Sequence, residues 1–222
     1  MASAIRLTEG LVGAVFAAGV SNSGEIDRLE YTREHNDLQR FIEINSDKKV
    51  IYFSSYIAKD STSRYAQHKR QMESVIERTA NDFLVLRLPQ VVGKTTNSTL
   101  INYFVNAAKT GKKITIQRNA YRSVVDVTDV GRILSLFIGK NITREVIAVG
   151  PLKPLWILDI VENIESILQL KIDFTSIDGG DRQTGDLSRA LMLLGRHDPI
   201  FDESYQYSVL KRYVPKLFGG SF

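Results

Sequence analysis

The chain contains no cysteine. Disulfides, thiolate nucleophiles and cysteine-bound zinc are therefore excluded. Histidine is nearly as scarce. The three, His35, His68 and His197, stand far apart and off metal-ligand spacing, so no metal site is expected. No apolar run approaches the ~20 residues that a membrane-spanning helix requires, so no membrane partner is expected either. The apolar stretch Leu11–Val20 (LVGAVFAAGV) has Arg6 upstream and imitates the core of a signal peptide. Glu9 precedes it, however, and the residues after it suit a strand-to-loop turn, which favours a buried strand. The expected location is cytoplasmic. In that setting the triplets Asn97-Ser98-Thr99 and Asn141-Ile142-Thr143 carry no glycosylation meaning. A strong charge of one sign is lacking as well. Lys and Arg number 29 against 25 Asp and Glu, a net charge of +4. The basic residues are scattered, which fits a solvated surface or a pocket for an anionic substrate rather than a nucleic-acid partner.

What is present is a full complement of core residues. The 222 residues are 43% hydrophobic and 24% charged, enough for one domain with a sizeable core and a small appended lobe. Apolar runs alternate with amphipathic ones. Strands are expected at Val12–Ala18, Lys49–Ser54, Phe83–Leu88, Ile114–Gln117 and Glu145–Val149. Helices are expected at Glu25–Ile44, Arg64–Thr79, Thr99–Lys109, Val127–Ile138 and Pro154–Leu168, with Asp126 or Thr128 as a cap for the fourth. The strands are nearly continuous apolar runs, as burial on both faces requires. Alternation with short connections implies an α/β fold with a doubly wound parallel sheet. Past Leu170 the pattern weakens. Ile177–Gly185 reads as a loop, and Leu187–Leu194 and Tyr207–Leu217 read as helices. The expected organisation is a nucleotide-binding domain over residues 1–170 and a small C-terminal lobe over 171–222.

One constellation carries chemistry. Tyr65-Ala66-Gln67-His68-Lys69 places a tyrosine and a lysine four residues apart, on one face of a helix. A nearby ammonium favours phenolate over phenol, so the spacing predicts a lowered Tyr65 pKa and a usable acid/base for a sugar hydroxyl or ketone. Upstream, Ser54-Ser55 ends a strand beside this helix, and a serine hydroxyl there is placed to hydrogen-bond the same reacting oxygen. Glu73 lies four residues beyond Lys69, and the next strand runs Leu86-Arg87-Leu88-Pro89-Gln90-Val91-Val92-Gly93.

This ordered set resembles the extended short-chain dehydrogenase/reductase family of NAD-dependent nucleotide-sugar epimerases, dehydratases and reductases. The similarity includes the strand ending in Ser-Ser, the Tyr-x-x-x-Lys with its glutamate, and the Arg-x-x-x-x-x-Gly strand end. It continues through Arg122-Ser123-Val124-Val125-Asp126-Val127-Thr128-Asp129-Val130 and the Ala17-Ala18-Gly19 turn. It is close over residues 12–170 and loose beyond. The resemblance implies a Rossmann-like domain, NAD or NADP as cofactor, and a nucleotide-sugar substrate. It implies Tyr65 as acid/base, Lys69 lowering its pKa and bonding the nicotinamide ribose, and Ser55, with Ser54 as the lesser choice, polarising the substrate oxygen. Ala17, Ala18 and Gly19 would line the adenosine side of the cofactor. Pro89, Gln90 and Val91 would contact the nicotinamide. Arg122 would pair with the substrate diphosphate, and Arg182 is the weaker phosphate candidate. Asp129 would fix the local backbone. Pairing of family members through the helices at Glu25–Ile44 and Arg64–Thr79 leaves a homodimer open.

The sequence also departs from the family. No Gly-x-x-G-x-x-G turn, the seat of the cofactor pyrophosphate, precedes Ala17. Relative to the family layout, roughly the first 60 residues are missing, so the Rossmann-like sheet is expected to be N-terminally shortened. The Ser54-Ser55-Tyr56 segment lacks the acid pair of dehydratases, which leaves epimerase or reductase. The alternative is a non-catalytic shortened member that binds a nucleotide sugar or a protein partner.

Overall fold

The computed structural model describes residues 13–20, 22–59, 61–93, 99–195 and 201–219. Val12, Asn97, Ser98 and His197 lie outside them. In chain order the elements are β1 (Gly13–Phe16), α1 (Arg28–Ile44), β2 (Lys49–Ser55), a 3-10 turn (Tyr56–Ala58), α2 (Arg64–Thr79), β3 (Asp82–Leu88), β4 (Gln90–Val92), α3 (Leu100–Thr110), β5 (Ile114–Gln117), β6 (Tyr121–Arg122), β7 (Val124–Asp126), α4 (Val127–Gly139), β8 (Glu145–Ala148), β9 (Leu155–Trp156), α5 (Ile157–Leu168), β10 (Phe174–Ile177), α6 (Ser188–Leu194) and α7 (Tyr205–Gly219).

Two compact units result, neither a single run of sequence. The first comprises Met1–Leu88, Gly131–Val149 and Gly185–Gly195. Its centre is a parallel sheet in the order β1-β2-β3-β8. One face presents Ala14, Phe16, Val50, Tyr52, Phe83 and Val85 to Leu38 and Phe41 of α1 and Met72 and Ile76 of α2. The alternate residues Val15, Ile51, Leu84 and Leu86 are also buried, none more than 2% exposed. Burial on both faces is why these strands read as unbroken apolar runs.

Helix α1 begins at Arg28 rather than Glu25 because the Asp27 carboxylate accepts the Leu29 amide at 2.8 Å and caps the helix there. Glu73 and Arg87, both among the residues that carried the resemblance, prove to be each other's partners. The Arg87 guanidinium forks onto the Glu73 carboxylate at 2.9 and 2.6 Å, tying α2 to β3.

The second unit comprises Pro89–Val130, Gly150–Thr184 and Arg196–Phe222. It holds three two-stranded pairings: β4 with β7 and β10 with β5 in parallel, and β6 with β9 antiparallel. Strands β4, β6, β7 and β9 are two or three residues long, too short for periodicity to register. Asp126 anchors this unit. Its fully buried carboxylate accepts the Thr128 amide, which caps α4 as expected, together with Tyr213 Oη at 2.9 Å and Arg212 at 2.6 Å from α7. The Tyr205 hydroxyl donates to Asp129 at 3.0 Å, consistent with a structural carboxylate there.

Candidate active site

Helix α2 starts where the Ser63 hydroxyl accepts the Ala66 amide at 3.2 Å. That start places Tyr65 in the first turn and Lys69 in the second, both on the buried side of the helix. Ser55, half-buried, ends β2 with an extended backbone. Its hydroxyl stands near enough to the Tyr65 phenol to favour the ionised form. Side chains alternate along a strand, so Ser54 points the other way. Its buried hydroxyl has no hydrogen-bond partner. Of the two serines it is Ser55 whose hydroxyl acts on Tyr65.

Lys69 is only 2% exposed. Its ammonium donates to Glu34 Oε1 at 3.0 Å and to Tyr52 Oη at 2.9 Å, and lies 5.6 Å from the Tyr65 ring centre. Burial pulls the Lys69 ammonium below its ordinary value, with Glu34 opposing. Burial also pushes the Tyr65 phenol well up, and the Glu34 carboxylate adds to this, while the nearby Ser55 hydroxyl opposes it. The sequence-based expectation of a lowered Tyr65 is thus corrected. The ammonium that was to lower it is compensated by a carboxylate that the helix spacing does not reveal.

Glu34 sits on α1 with 0% exposure. Its Oε1 also accepts the Tyr52 hydroxyl at 2.7 Å, and its Oε2 accepts the Val20 amide at 2.7 Å and His68 Nε2 at 2.8 Å. Burial favours the neutral acid, yet the bond from His68, the charge of Lys69, and the bonds from Tyr52 and Val20 together hold the carboxyl at about 2. Sequence reasoning missed Glu34, Tyr52 and His68 as site residues. A signal existed for the first: Glu34 falls in phase with Tyr31, Leu38 and Phe41, the buried side of α1, where a carboxylate needs partners. Gly19 closes the site from the β1 side. A Cβ there would stand 2.6 Å from Glu34 Oε1 and 3.1 Å from Lys69 Nζ. Ala17 is exposed and Ala18 half-buried in the same turn.

The remaining candidates lie in the second unit. Gln90 and Val91 belong to β4, Pro89 precedes them, and the Gln90 amide donates to Ser123 O at 3.0 Å. Arg122 donates to Asp181 through both its carbonyl and its carboxylate, at 2.8 and 2.7 Å. Arg182 is exposed and stacks its guanidinium 5.0 Å from the Tyr121 ring centre. Among the described residues no three His, Asp or Glu side chains are grouped to hold a metal ion, and no helix is long and apolar enough to cross a membrane.

The sequence model of the NAD dependent epimerase/dehydratase family matches residues 24–150, more than half of the chain. The chain belongs to that family. The matched stretch contains Glu34, Ser55, Tyr65 and Lys69. Solved structures share the fold. UDP-N-acetylglucosamine 4-epimerase from Methanobrevibacter ruminantium M1, in complex with UDP-N-acetylmuramic acid, is 20% identical with a TM-score of 0.73, over 94% of this chain and 76% of that one. WbmH from Bordetella bronchiseptica, in complex with NAD+, is 17% identical with a TM-score of 0.73, over 94% and 75%. RMD from Pseudomonas aeruginosa, complexed with NADPH, is 16% identical with a TM-score of 0.73, over 93% and 81%. No curated protein matches. The fold of this epimerase/dehydratase family member is accordingly Rossmann-like, and shorter than that of its structural neighbours.

Proposed function

We propose that the chain is an NAD(P)-dependent epimerase or reductase acting on a nucleotide-activated sugar, with Tyr65 as its acid/base. The observation that carries this reading is the grouping of Ser55 at the C-terminal end of β2 with Tyr65, whose phenol its hydroxyl acts on, and with Lys69 one helical turn behind the phenol. Open parallel sheets bind ligands outside the carboxyl ends of their strands. Ser55 ends β2 there, and Ala17–Gly19 follow β1. A sugar ketone or hydroxyl oxygen brought against both hydroxyls would be held by Ser55 and would exchange a proton with Tyr65. Because burial raises Tyr65, the phenol is protonated at neutral pH and acts first as the acid that donates to a ketone oxygen.

The residues present fit a nicotinamide cofactor. An ammonium has three N–H donors, of which Glu34 and Tyr52 take two, so Lys69 keeps one for a ribose hydroxyl. Ala17, Ala18 and Gly19 offer backbone with little side chain in the way. Pro89, Gln90 and Val91 are assigned to the nicotinamide by family resemblance. When bound, the cofactor supplies the hydride acceptor and donor. WbmH holds NAD+ and RMD holds NADPH, which supports a nicotinamide dinucleotide without choosing between them.

The test is turnover of a panel of UDP- and dTDP-sugars by the purified chain with NAD(H) or NADP(H). An isomerised or reduced sugar is expected with at least one combination. No product from any of them, together with no dinucleotide binding by calorimetry, overturns the reading. Arg122 is the proposed partner of the substrate diphosphate, which would compete with Asp181 for its planar fork. Arg122→Ala is expected to weaken UDP binding by about 1.5–3 kcal/mol in a calorimetric titration. An unchanged Kd leaves Arg122 as the partner of Asp181 alone.

A further inference from the structure

We propose that Glu34 is a positioning residue of this site: its buried carboxylate holds the Lys69 ammonium charged and fixed one turn behind Tyr65. The inference rests on the assignment of Tyr65 and Lys69 to the chemistry and adds the group that governs them. A carboxylate with 0% exposure is costly to bury unless it is fully compensated. Packing between α1 and the sheet does not require one, since Leu38 and Phe41 on the same side of α1 meet the same sheet through apolar contact.

The partners of Glu34 show what it does instead. Both oxygens are filled by donors from three separate parts of the chain: Val20 N after β1, Tyr52 Oη on β2, and His68 Nε2 and Lys69 Nζ on α2. Tyr52 belongs to both groups, since its hydroxyl donates to Glu34 and accepts from Lys69 at 2.9 Å. The carboxylate therefore fixes Lys69 directly and through Tyr52.

The charge argument has the same direction. An ammonium removed from water loses its proton readily unless an acid stands beside it. The titratable groups around Lys69 are Tyr31 and Glu34 from α1, Tyr52 from β2, and Tyr65, His68 and Glu73 from α2. Glu73 is forked by Arg87 and acts on Lys69 only at a distance. Glu34 is the one acid in hydrogen-bond contact with Lys69 among the described residues. Without its charge, burial acts on Lys69 unopposed by a contacting acid, and the ammonium loses its proton at lower pH. It then loses both its hold on Tyr65 and its charge toward a ribose.

The experiment is a pH titration of the Lys69 Cε signal in lysine-labelled protein, assigned with Lys69→Met, in the full chain and in Glu34→Gln. The Lys69 midpoint is expected at least ~1 pH unit lower in E34Q, with the alkaline limb of the kcat profile moving with it, so that turnover lost at pH 8.5 returns at pH 6. An unmoved midpoint overturns the proposal, as does a loss of kcat that is the same at every pH, because a purely structural role produces that loss. Should E34Q not fold, Glu34→Asp keeps the charge but withdraws it by one methylene. An intermediate midpoint supports the proposal, and a wild-type midpoint with altered kcat overturns it. The titration needs no substrate. If Tyr65→Phe retained full turnover, the functional reading would fall visibly, and the titration would still report what Glu34 does to Lys69.

Discussion

Replacing Tyr65 by phenylalanine is expected to lower kcat by about 10²–10⁴-fold, the usual contribution of a positioned acid/base. The ring fills the same space. Only the buried hydroxyl is lost, at a cost of about 1 kcal/mol in stability. Binding of the nucleotide sugar should hardly change, because the phenol meets the reacting oxygen and not the nucleotide. The measurement is steady-state turnover on the sugar identified by the panel, with urea unfolding and calorimetric binding as controls. Equal kcat in Y65F and the full chain would remove Tyr65 from the chemistry. A lowered kcat with collapsed stability would mark the hydroxyl as structural. If neither protein turned over any sugar while both bound UDP, the chain would act as a non-catalytic binder of nucleotide sugars.

A second large effect is expected in acid. The Glu34 carboxyl is held at about 2, against an ordinary value of 4.5. Such a depressed acid contributes stability that is fully present above its unfolded pKa and is lost as pH falls toward the folded one. The contribution is about 3 kcal/mol at neutral pH and should disappear between roughly pH 4.5 and 2. Asp82 and Glu145 are also lowered, so the full chain loses stability from more than one site in this window. The difference between the chain and Glu34→Gln isolates Glu34. Urea unfolding of both as a function of pH should show a gap near neutral pH that closes on acidification. A gap independent of pH would mean that the partners of Glu34 do not depend on its charge.

Much of the fold was legible because its signals are local. Lys49–Ser54, Arg64–Thr79 and Ile114–Gln117 were marked by runs of one period, and the structure holds β2, α2 and β5 there with at most a residue of difference. That α4 is capped near its start was readable, with Asp126 or Thr128 as the candidates, and the structure uses Asp126. The short strands β4, β6, β7 and β9 were not, since two or three residues hold no period. Strand β10 escaped because its residues are mostly exposed and it lies outside the main sheet, paired with β5.

At the site, the sequence by itself determined that Tyr65 and Lys69 share a helix face and that a serine pair ends the neighbouring strand, because spacing along one element decides such relations. Which of Ser54 and Ser55 stands beside Tyr65 depends on how the end of β2 meets α2, and it is the Ser55 hydroxyl that acts on the phenol. Only the tertiary structure decided the charge around Lys69. Glu34 reaches it from 35 positions away and Tyr52 from 17, and the sequence assigns no sign or strength to a contact until folding removes the water between the groups. That is why the expected lowering of Tyr65 gave way to a phenol raised by burial and by the acid that compensates its lysine.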